Sequence, residues 1–456
     1  MDIPEKLRVK TTGVRGVYPQ AINDNVAYAF ARSFAEISGG GPLVVAHDGR
    51  HSGQDLKQSV TAGFTDGGCN TVYDLDLAPL PTTQMAVLES DASGAIVITA
   101  SHNPGSYNGL KLLDEDGEFI TADILQEVKD TVRTIETKDG FDEAFDYGND
   151  VIDKQDWAYQ SHIDAVSNLA QAGRSLTVGV DAVNASASRI LPRMLKAINC
   201  STVNLATDHN ESFPHKPEPR PENVRWPEDK VSGSDVDMCA VTDPDGDRLL
   251  LIDERGNVLS EELTLPLALK GAALQRHEMS GGVMVTNLST STSVDDVAGE
   301  FNIDVLRSRV GEVNVVAKMK ETSACFGGEG NGGVIDPQLH YGRDALAGVV
   351  HIVNLIRSQD SNLSVLAEEI DKYTMSKVNV PAENVDDESV VYKQARQKIP
   401  HESADTTDGL RLQWQSGFLH LRPSTTEPLF RIIVEEKSND QAEQVIEKIR
   451  NIIEES

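Results

Sequence analysis

Three times along this chain an apolar, strand-like run ends in a polar loop that leads into a helical pattern. The runs read LVVAHDGR from Leu43, LTVGVDAVN from Leu176 and VMVTNLSTS from Val283. Strand and helix alternating at this length lead to layered α/β units. A chain of 456 residues has room for three or four domains of about 100–150 residues each. The recurrence suggests three related α/β units, although no identity between them can be counted.

The first unit opens with TTGVRGVY (residues 11–18), a glycine-punctuated loop carrying Arg15. A helix follows from about Asp24, with Val26, Phe30, Phe34 and Ile37 on one face. Strands are expected at 43–46, 71–75 and 95–98, with a Pro-containing loop at 78–83, and the strand that leads to Ser101 is expected to close the sheet. After an acidic stretch at 138–153 the second unit begins with a helix. Its strands are expected at 176–180, 202–205 and 237–241, with a polar, Pro-rich loop at 213–227. The third has strands at 283–286 and 303–306, and helices from Ser293 and over 311–320. From about Lys372 the pattern changes to adjacent strands at 410–414, 418–421 and 429–434. A last helix carries Val445, Ile446, Ile449, Ile452 and Ile453 on one side. Four domains are expected: 1–150, 151–256 and 257–370, all α/β, and 371–456, a small antiparallel α+β domain.

Acidic residues outnumber basic ones by 72 to 41, a formal charge of -31. Such a field repels nucleic acid and anionic membrane, so neither is an expected partner. The acid is spread along the chain rather than gathered into tails, and aromatics are only 5%. That pattern favours adaptation to high salt, where self-repulsion is screened. The four cysteines form no CxxC pair, which argues for a reducing cytosol without disulfides or structural zinc. With no apolar run of membrane-spanning length, a soluble, cytoplasmic protein is expected.

Four stretches carry chemistry. TASHNPGSYNGLK (residues 99–111) places Ser101 and His102 on a short loop after an apolar strand, and the chain returns through Asn108-Gly109 to Lys111. A serine there is a candidate nucleophile, because open α/β sheets hold ligands at the carboxyl ends of strands. A serine hydrolase would need GxSxG and an oriented His–Asp pair, and the sequence identifies neither.

DPDGDR sets Asp243, Asp245 and Asp247 at alternate positions, able to fold around one hard divalent cation. An EF-hand would use the same spacing, with Glu254 at its twelfth position, but its required glycine is Arg248 here. A solvated acidic turn is the bland alternative, yet clustered carboxylates repel unless something neutralises them.

GGEGNGG (residues 327–333) contains a formal GxGxxG, the signature of a nicotinamide site. Pro337 blocks a following helix, and no acidic residue stands about 20 positions on. Glu329 between glycines is better suited to sugar hydroxyls, with a plain glycine turn as the alternative. RPSTTEP offers the Arg422 fork with Ser424, Thr425 and Thr426 as a cradle for a phosphate dianion; a capped surface turn is the alternative.

Together, TASHNP…NGLK, DPDGDR, GEGNGG and RPSTTEP, with HDGRHS and TTGVRG, resemble the phosphoserine, metal, sugar and phosphate loops of the α-D-phosphohexomutase superfamily. The resemblance covers essentially the whole chain. It implies three related α/β domains and a C-terminal domain that closes over substrate, arranged around a central cleft. Phosphorylated Ser101 would donate to a hexose phosphate and recover a phosphoryl group from the resulting hexose 1,6-bisphosphate. Mg²⁺ would sit among Asp243, Asp245, Asp247 and a phosphoserine oxygen. Arg15 and Lys111, with His102 beside the serine, would lie near the transferred group, and Arg248 beside the metal. Glu329 and Asn331 would face the sugar, while Arg422, Ser424, Thr425 and Thr426 would grip the non-reacting phosphate.

Two positions depart from the common pattern. The sugar loop usually reads GExSGH, whereas Asn331 and Gly333 stand here for Ser and His. This form resembles an archaeal branch linked mainly to phosphoglucosamine mutase and sometimes to glucose or mannose phosphates. The metal loop, usually DGDxDR, has Pro244 at its second position and keeps all three carboxylates. A nicotinamide-dependent oxidoreductase or a non-catalytic sugar-phosphate binder would be the rivals, and both monomer and homo-oligomer fit.

Overall fold

The structure, a computed structural model, describes residues 1–136, 150–225, 235–370, 372–382, 385, 387–424 and 428–455. The first unit runs β1 (Arg8–Lys10), β2 (Gly13–Val17), α1 (Asp24–Ile37), β3 (Leu43–His47), α2 (Gly53–Asp66), β4 (Thr71–Leu77), α3 (Leu80–Leu88), β5 (Ala95–Ile98), β6 (Tyr107–Leu113) and α4 (Ala122–Thr134). Asn23 caps α1 by accepting from the Val26 N–H, and Val26, Phe30 and Phe34 are buried. The strands form one sheet in the order β1-β2-β6-β5-β3-β4-β7, where β7 is Asp150–Asp153. Residues 150–153 therefore extend the first sheet across the position where the second unit was expected to begin.

Two expectations fail here. The strand before Ser101, β5, lies inside the sheet between β6 and β3, not at its edge, because β6 turns back antiparallel and β2 and β1 extend it further. Residues 78–83 are not all loop, since α3 begins at Leu80 with proline in its first turn. Proline lacks only an N–H that a first turn leaves unpaired, so it is compatible with that position.

The second unit contains α5 (Gln155–Ser167), β8 (Leu176–Asp181), α6 (Ala187–Ala197), β9 (Cys200–Ala206), β10 (Met238–Thr242) and β11 (Leu249–Asp253). The third contains α7 (Thr264–Gln275), β12 (Val283–Asn287), α8 (Ser293–Glu300), β13 (Asp304–Ser308), α9 (Glu312–Thr322), β14 (Phe326–Glu329), β15 (Gly333–Ile335), α10 (Ala345–Gln359) and α11 (Leu363–Ile370).

These sheets repeat one design. In each, a first strand (β3, β8, β12) pairs in parallel with the strands on both sides, and the third strand then pairs antiparallel with a fourth. The relation that could not be counted as identity is present as topology. Its consequence for the site is direct: Ser101, the three aspartates and the glycine-rich loop all occupy the turn between the third and fourth strands of their units.

The last unit is β16 (Thr374–Pro381), α12 (Glu388–Lys398), β17 (Ser403–Asp405), β18 (Leu410–Trp414), β19 (Gly417–Pro423), β20 (Leu429–Glu436) and α13 (Asn439–Glu454). Its sheet is antiparallel, in the order β16-β20-β19-β18-β17. One apolar cluster runs through the first three units, whereas the last has a separate core around Val391, Leu412, Ile432 and Ile449. It meets the third unit through polar contacts. Arg411 donates to the Leu288 carbonyl at 2.9 Å, and the Thr292 N–H donates to Glu435 at 2.9 Å. Among the described residues no helix is long and apolar enough to cross a membrane.

Candidate active site

Ser101 follows β5 with φ at 51°, in the left-handed region that side chains avoid, and it is buried. A conformation of this kind costs about 1–3 kcal/mol and persists only when its surroundings impose it. They do so from two sides. Thr99 Oγ1 accepts the Ser101 N–H at 2.8 Å, and Thr99 itself donates to Asp48 at 2.7 Å. Arg50, anchored on Asp48 at 2.8 Å, donates to the carbonyls of Ser101, Asn103, Pro104 and Tyr107. HDGRHS is thus the clamp that shapes the serine loop.

The Ser101 hydroxyl is left facing two partners, His102 Nδ1 at 3.2 Å and Asp243 Oδ2 at 3.3 Å. The charge of Arg248, with burial and Arg15 behind it, pushes His102 down to about 2. An imidazole held that low is a poor base, and among the described residues no carboxylate hydrogen-bonds its ring. The Ser–His contact therefore orients the serine and does not make a hydrolase triad.

Asp243, Asp245 and Asp247 are all buried in the β10–β11 turn, with an oxygen from each lying within 4.8 Å of the others. The Leu80 N–H at the start of α3 donates to the Asp245 carbonyl at 2.9 Å, which ties this turn to the first unit. Lys111 Nζ lies 2.7 Å from Asp245 and 3.0 Å from Asp247. Burial and the charges of Asp247 and Asp245 push Asp243 well up. Burial also works against Asp247, but Arg343, Lys111 and Arg248 reverse it and hold that carboxyl low.

Asp245 Oδ1 and Asp247 Oδ1 are buried with no hydrogen-bond partner among the described residues. Orphaned, convergent carboxylate oxygens form the donor set of a small hard cation, so these residues fit Mg²⁺. The EF-hand alternative is closed, because β11 follows directly and Glu254 accepts from the Ser364 N–H and hydroxyl.

Glu329 ends β14, where its Oε1 accepts from Asn287 at 2.8 Å and from the Gly311 N–H at 3.1 Å. Its Oε2 accepts from Arg343 at 3.1 Å and from Asn331 at 3.4 Å. Residues 327–333 form a β-hairpin turn, not a strand-to-helix turn. A dinucleotide fingerprint requires the latter, so the nicotinamide alternative loses its only support.

Arg343 was not singled out from the sequence. Buried, it donates to Glu312, Glu329 and Asp247 at 3.0, 3.1 and 2.7 Å, joining the sugar-loop glutamate to the metal loop. No periodicity marks such a residue. A buried arginine becomes visible only when three carboxylates from separate segments converge on it.

A cavity of about 440 Å³ opens beside these groups. His102, Arg248, Glu329, Asn331 and Arg422 all line it, so candidates from every unit share one wall. Arg220, Glu262, Lys377 and Arg431 line it too and were not anticipated. Arg248 lies 3.8 Å from Glu218, and Arg422 Nε lies 3.1 Å from Asp408 Oδ2. Arg15 stands off this cavity, donating to the Thr12 carbonyl at 3.1 Å. Burial lowers its pKa in spite of the nearby Asp245 and Asp247. Ser424 follows β19, its N–H donating to the Leu429 carbonyl at 2.8 Å. Thr425 and Thr426 lie outside the described residues.

Known proteins share this four-domain fold. Family profiles described as phosphoglucomutase/phosphomannomutase alpha/beta/alpha domains I, II and III match residues 6–139, 158–256 and 265–373. The C-terminal domain profile of the same family matches 376–452. A phosphoglucomutase/phosphomannomutase of Thermococcus kodakarensis is 32% identical over 98% of both chains. A probable phosphoglucosamine mutase of Methanopyrus kandleri is 29% identical over 97% of both. A crystal structure of a phosphoglucomutase/phosphomannomutase family protein from Burkholderia thailandensis superposes with a TM-score of 0.81 at 24% identity, covering 98% of each chain. With four matched domains and a buried serine 3.3 Å from the first of three clustered aspartates, the chain belongs to the phosphoglucomutase/phosphomannomutase family of phosphohexomutases.

Proposed function

We propose that this phosphohexomutase interconverts the 6- and 1-phosphates of a hexose through phosphorylated Ser101, with glucosamine phosphate as its principal substrate. The observation that carries the mechanism is the buried Ser101 hydroxyl, 3.3 Å from Asp243 and next in sequence to His102, which lines a cleft shared by residues of all four units.

Phosphoserine passes its phosphoryl group to the free hydroxyl of a hexose phosphate. The Ser101 Oγ–P bond breaks, an O–P bond forms at the sugar, and the sugar's proton ends on Ser101 Oγ. The hexose 1,6-bisphosphate then reorients, and its other phosphoryl group returns to Ser101 with the reverse proton movement. Catalysis of this type is mainly positioning and charge stabilisation.

Asp243, Asp245, Asp247 and a phosphoserine oxygen would hold Mg²⁺, which when bound offsets charge on the transferring oxygens. Lys111 and Arg15 supply positive charge beside the serine loop, and Arg248 does so at the rim. His102 orients the serine oxygen. Glu329, aimed by Asn287 and Arg343, accepts from sugar hydroxyls. Arg422, Ser424, Thr425 and Thr426 grip the phosphate that is not reacting. A separate core and a polar interface suit the last unit, expected over 371–456, to move over bound sugar.

The amino sugar is favoured by carboxylates in the cleft: of the three that line it, Glu218, Glu262 and Glu329, Glu262 is paired with Lys377, and Glu218 and Glu329 suit a cationic 2-amino group. Two relatives carry the name probable phosphoglucosamine mutase, while the Thermococcus kodakarensis relative carries the name phosphoglucomutase/phosphomannomutase. We also assign the spread of acidic residues to life at high salt and the site of action to the cytoplasm.

Intact mass before and after phosphatase treatment tests the mechanism. A phosphorylated fraction restored by glucose 1,6-bisphosphate is expected, and its loss in Ser101→Ala together with all turnover. Active Ser101→Ala would remove the serine from the mechanism. Specificity constants for glucosamine, glucose and mannose phosphates test the substrate, and a preference for glucose or mannose would overturn the amino-sugar assignment.

A further inference from the structure

Residues 6–23 contain four basic residues and no acidic one, in a chain where acid outnumbers base by 72 to 41. Those four, Lys6, Arg8, Lys10 and Arg15, line one cavity of about 550 Å³ between the β1–β2 hairpin and the serine loop. Asn103 and Tyr107 of that loop form part of its wall, and among the described residues no carboxylate lines it.

Three observations indicate that a counter-charge belongs there. Arg8 stands directly opposite Arg15 in the antiparallel ladder, and like charges so placed are destabilising. Lys6, Arg8 and Lys10 are exposed and form no ion pair among the described residues. By contrast, Lys377, Arg248, Arg220 and Arg422 in the substrate cleft each lie near a carboxylate. Cations on an edge strand also discourage pairing with other chains, but that role calls for neither a cavity nor a second arginine facing the first.

The charge count limits the ligand. A phosphate group carries about −1.5 to −2 at neutral pH, so one does not neutralise the three unpaired cations Lys6, Arg8 and Lys10, whereas two do. Arg8 and Lys10, two residues apart on a strand, are separated by about 6.7 Å, which suits phosphate groups held apart by a carbon skeleton.

We propose that this hairpin cavity is a second anion site, distinct from the cleft, that binds a doubly phosphorylated sugar beside the serine loop. That the sugar is the enzyme's own bisphosphate rests on the mutase mechanism proposed above; the site itself does not.

The test is calorimetric titration of the full chain in a Ser101→Ala background, where the ligand is not consumed. Glucose 1,6-bisphosphate should bind with two equivalents, and with one after K6Q/R8Q/K10Q. Arg8→Gln alone should weaken the second site at least tenfold, which keeps the test open if the triple variant does not fold. The variant K196Q/K393Q/K448Q makes the same charge change at exposed lysines of other units and should keep both equivalents. One equivalent in the parent, or equal loss in that control, overturns the site. Inorganic phosphate binding the hairpin as tightly as the bisphosphate overturns the choice of ligand. Ser101 phosphorylation in the wild-type chain is read separately by mass. Two equivalents without phosphoserine would keep the anion site and sink the mutase mechanism, and phosphoserine with one equivalent would do the reverse.

Discussion

Arg343 Nη2 lies 2.7 Å from Asp247 Oδ2, while another nitrogen of the same guanidinium reaches Glu329 at 3.1 Å. One buried cation therefore sets the distance between Glu329 and the aspartate loop at 243–247. Arg343→Met would leave Asp247, Glu329 and Glu312 buried without their shared partner. Breaking a buried pair from one side costs about 3–5 kcal/mol. Thermal unfolding should show a loss of that order, with turnover down at least about a hundredfold, the size expected from misplacing reacting groups by an ångström. Arg343→Lys keeps the charge but not the fork, so it should recover stability more than activity. Unchanged kinetics in both variants would refute the coupling.

Arg50 holds four carbonyls of the serine loop and touches no substrate-facing atom of Ser101. Lysine cannot span them all. Arg50→Lys should lower kcat about a hundredfold with little change in KM, because the cleft cations remain. A change confined to KM would place Arg50 in binding instead.

Glu262 is buried between Lys377, at 2.8 Å, and the Ser291 N–H, at 3.0 Å, and its pKa is pushed up to about 7 by burial. The ordinary value is 4.5, so between pH 4.5 and 7 the folded chain keeps a proton that the unfolded chain releases. Stability from this group is complete below pH 4.5 and is lost as pH rises through 7. Melting temperatures of wild type and Glu262→Gln, measured from pH 5 to 8, should converge at the acid end and separate in favour of the variant at the alkaline end. Parallel curves would contradict this.

With 72 acidic residues, self-repulsion should dominate in dilute buffer. The screening length is about 10 Å at 0.1 M salt and about 3 Å at 1 M. Dialysis from molar salt into dilute buffer should therefore unfold the chain reversibly, as circular dichroism would report. Full stability without salt would remove the high-salt assignment.

Much of the molecule was legible because its signals are local. The helix from Asp24 shows its apolar face and its Asn23 cap in consecutive residues. Ser101 and the three aspartates sit in short turns after strand-like runs, and Glu329 at the end of β14, so their motifs survive as strings. What failed or was missed depends on distant segments. The prolines at 79 and 81 mark a boundary without saying that it is a helix start. The place of β5 inside the sheet depends on where β2, some eighty residues earlier, finds a partner.

The sequence by itself indicated the α/β units and the candidate reactive side chains, because periodicity and turn composition are short-range properties, and its motif strings carried the resemblance that implied phosphoryl chemistry. Only the tertiary structure decided that His102 touches Ser101 yet is held near pKa 2 by Arg248, that Arg343 ties Glu329 to Asp247, and that Arg8 faces Arg15. Each of those relations depends on how separate strands and loops are brought together in space, which no local pattern encodes.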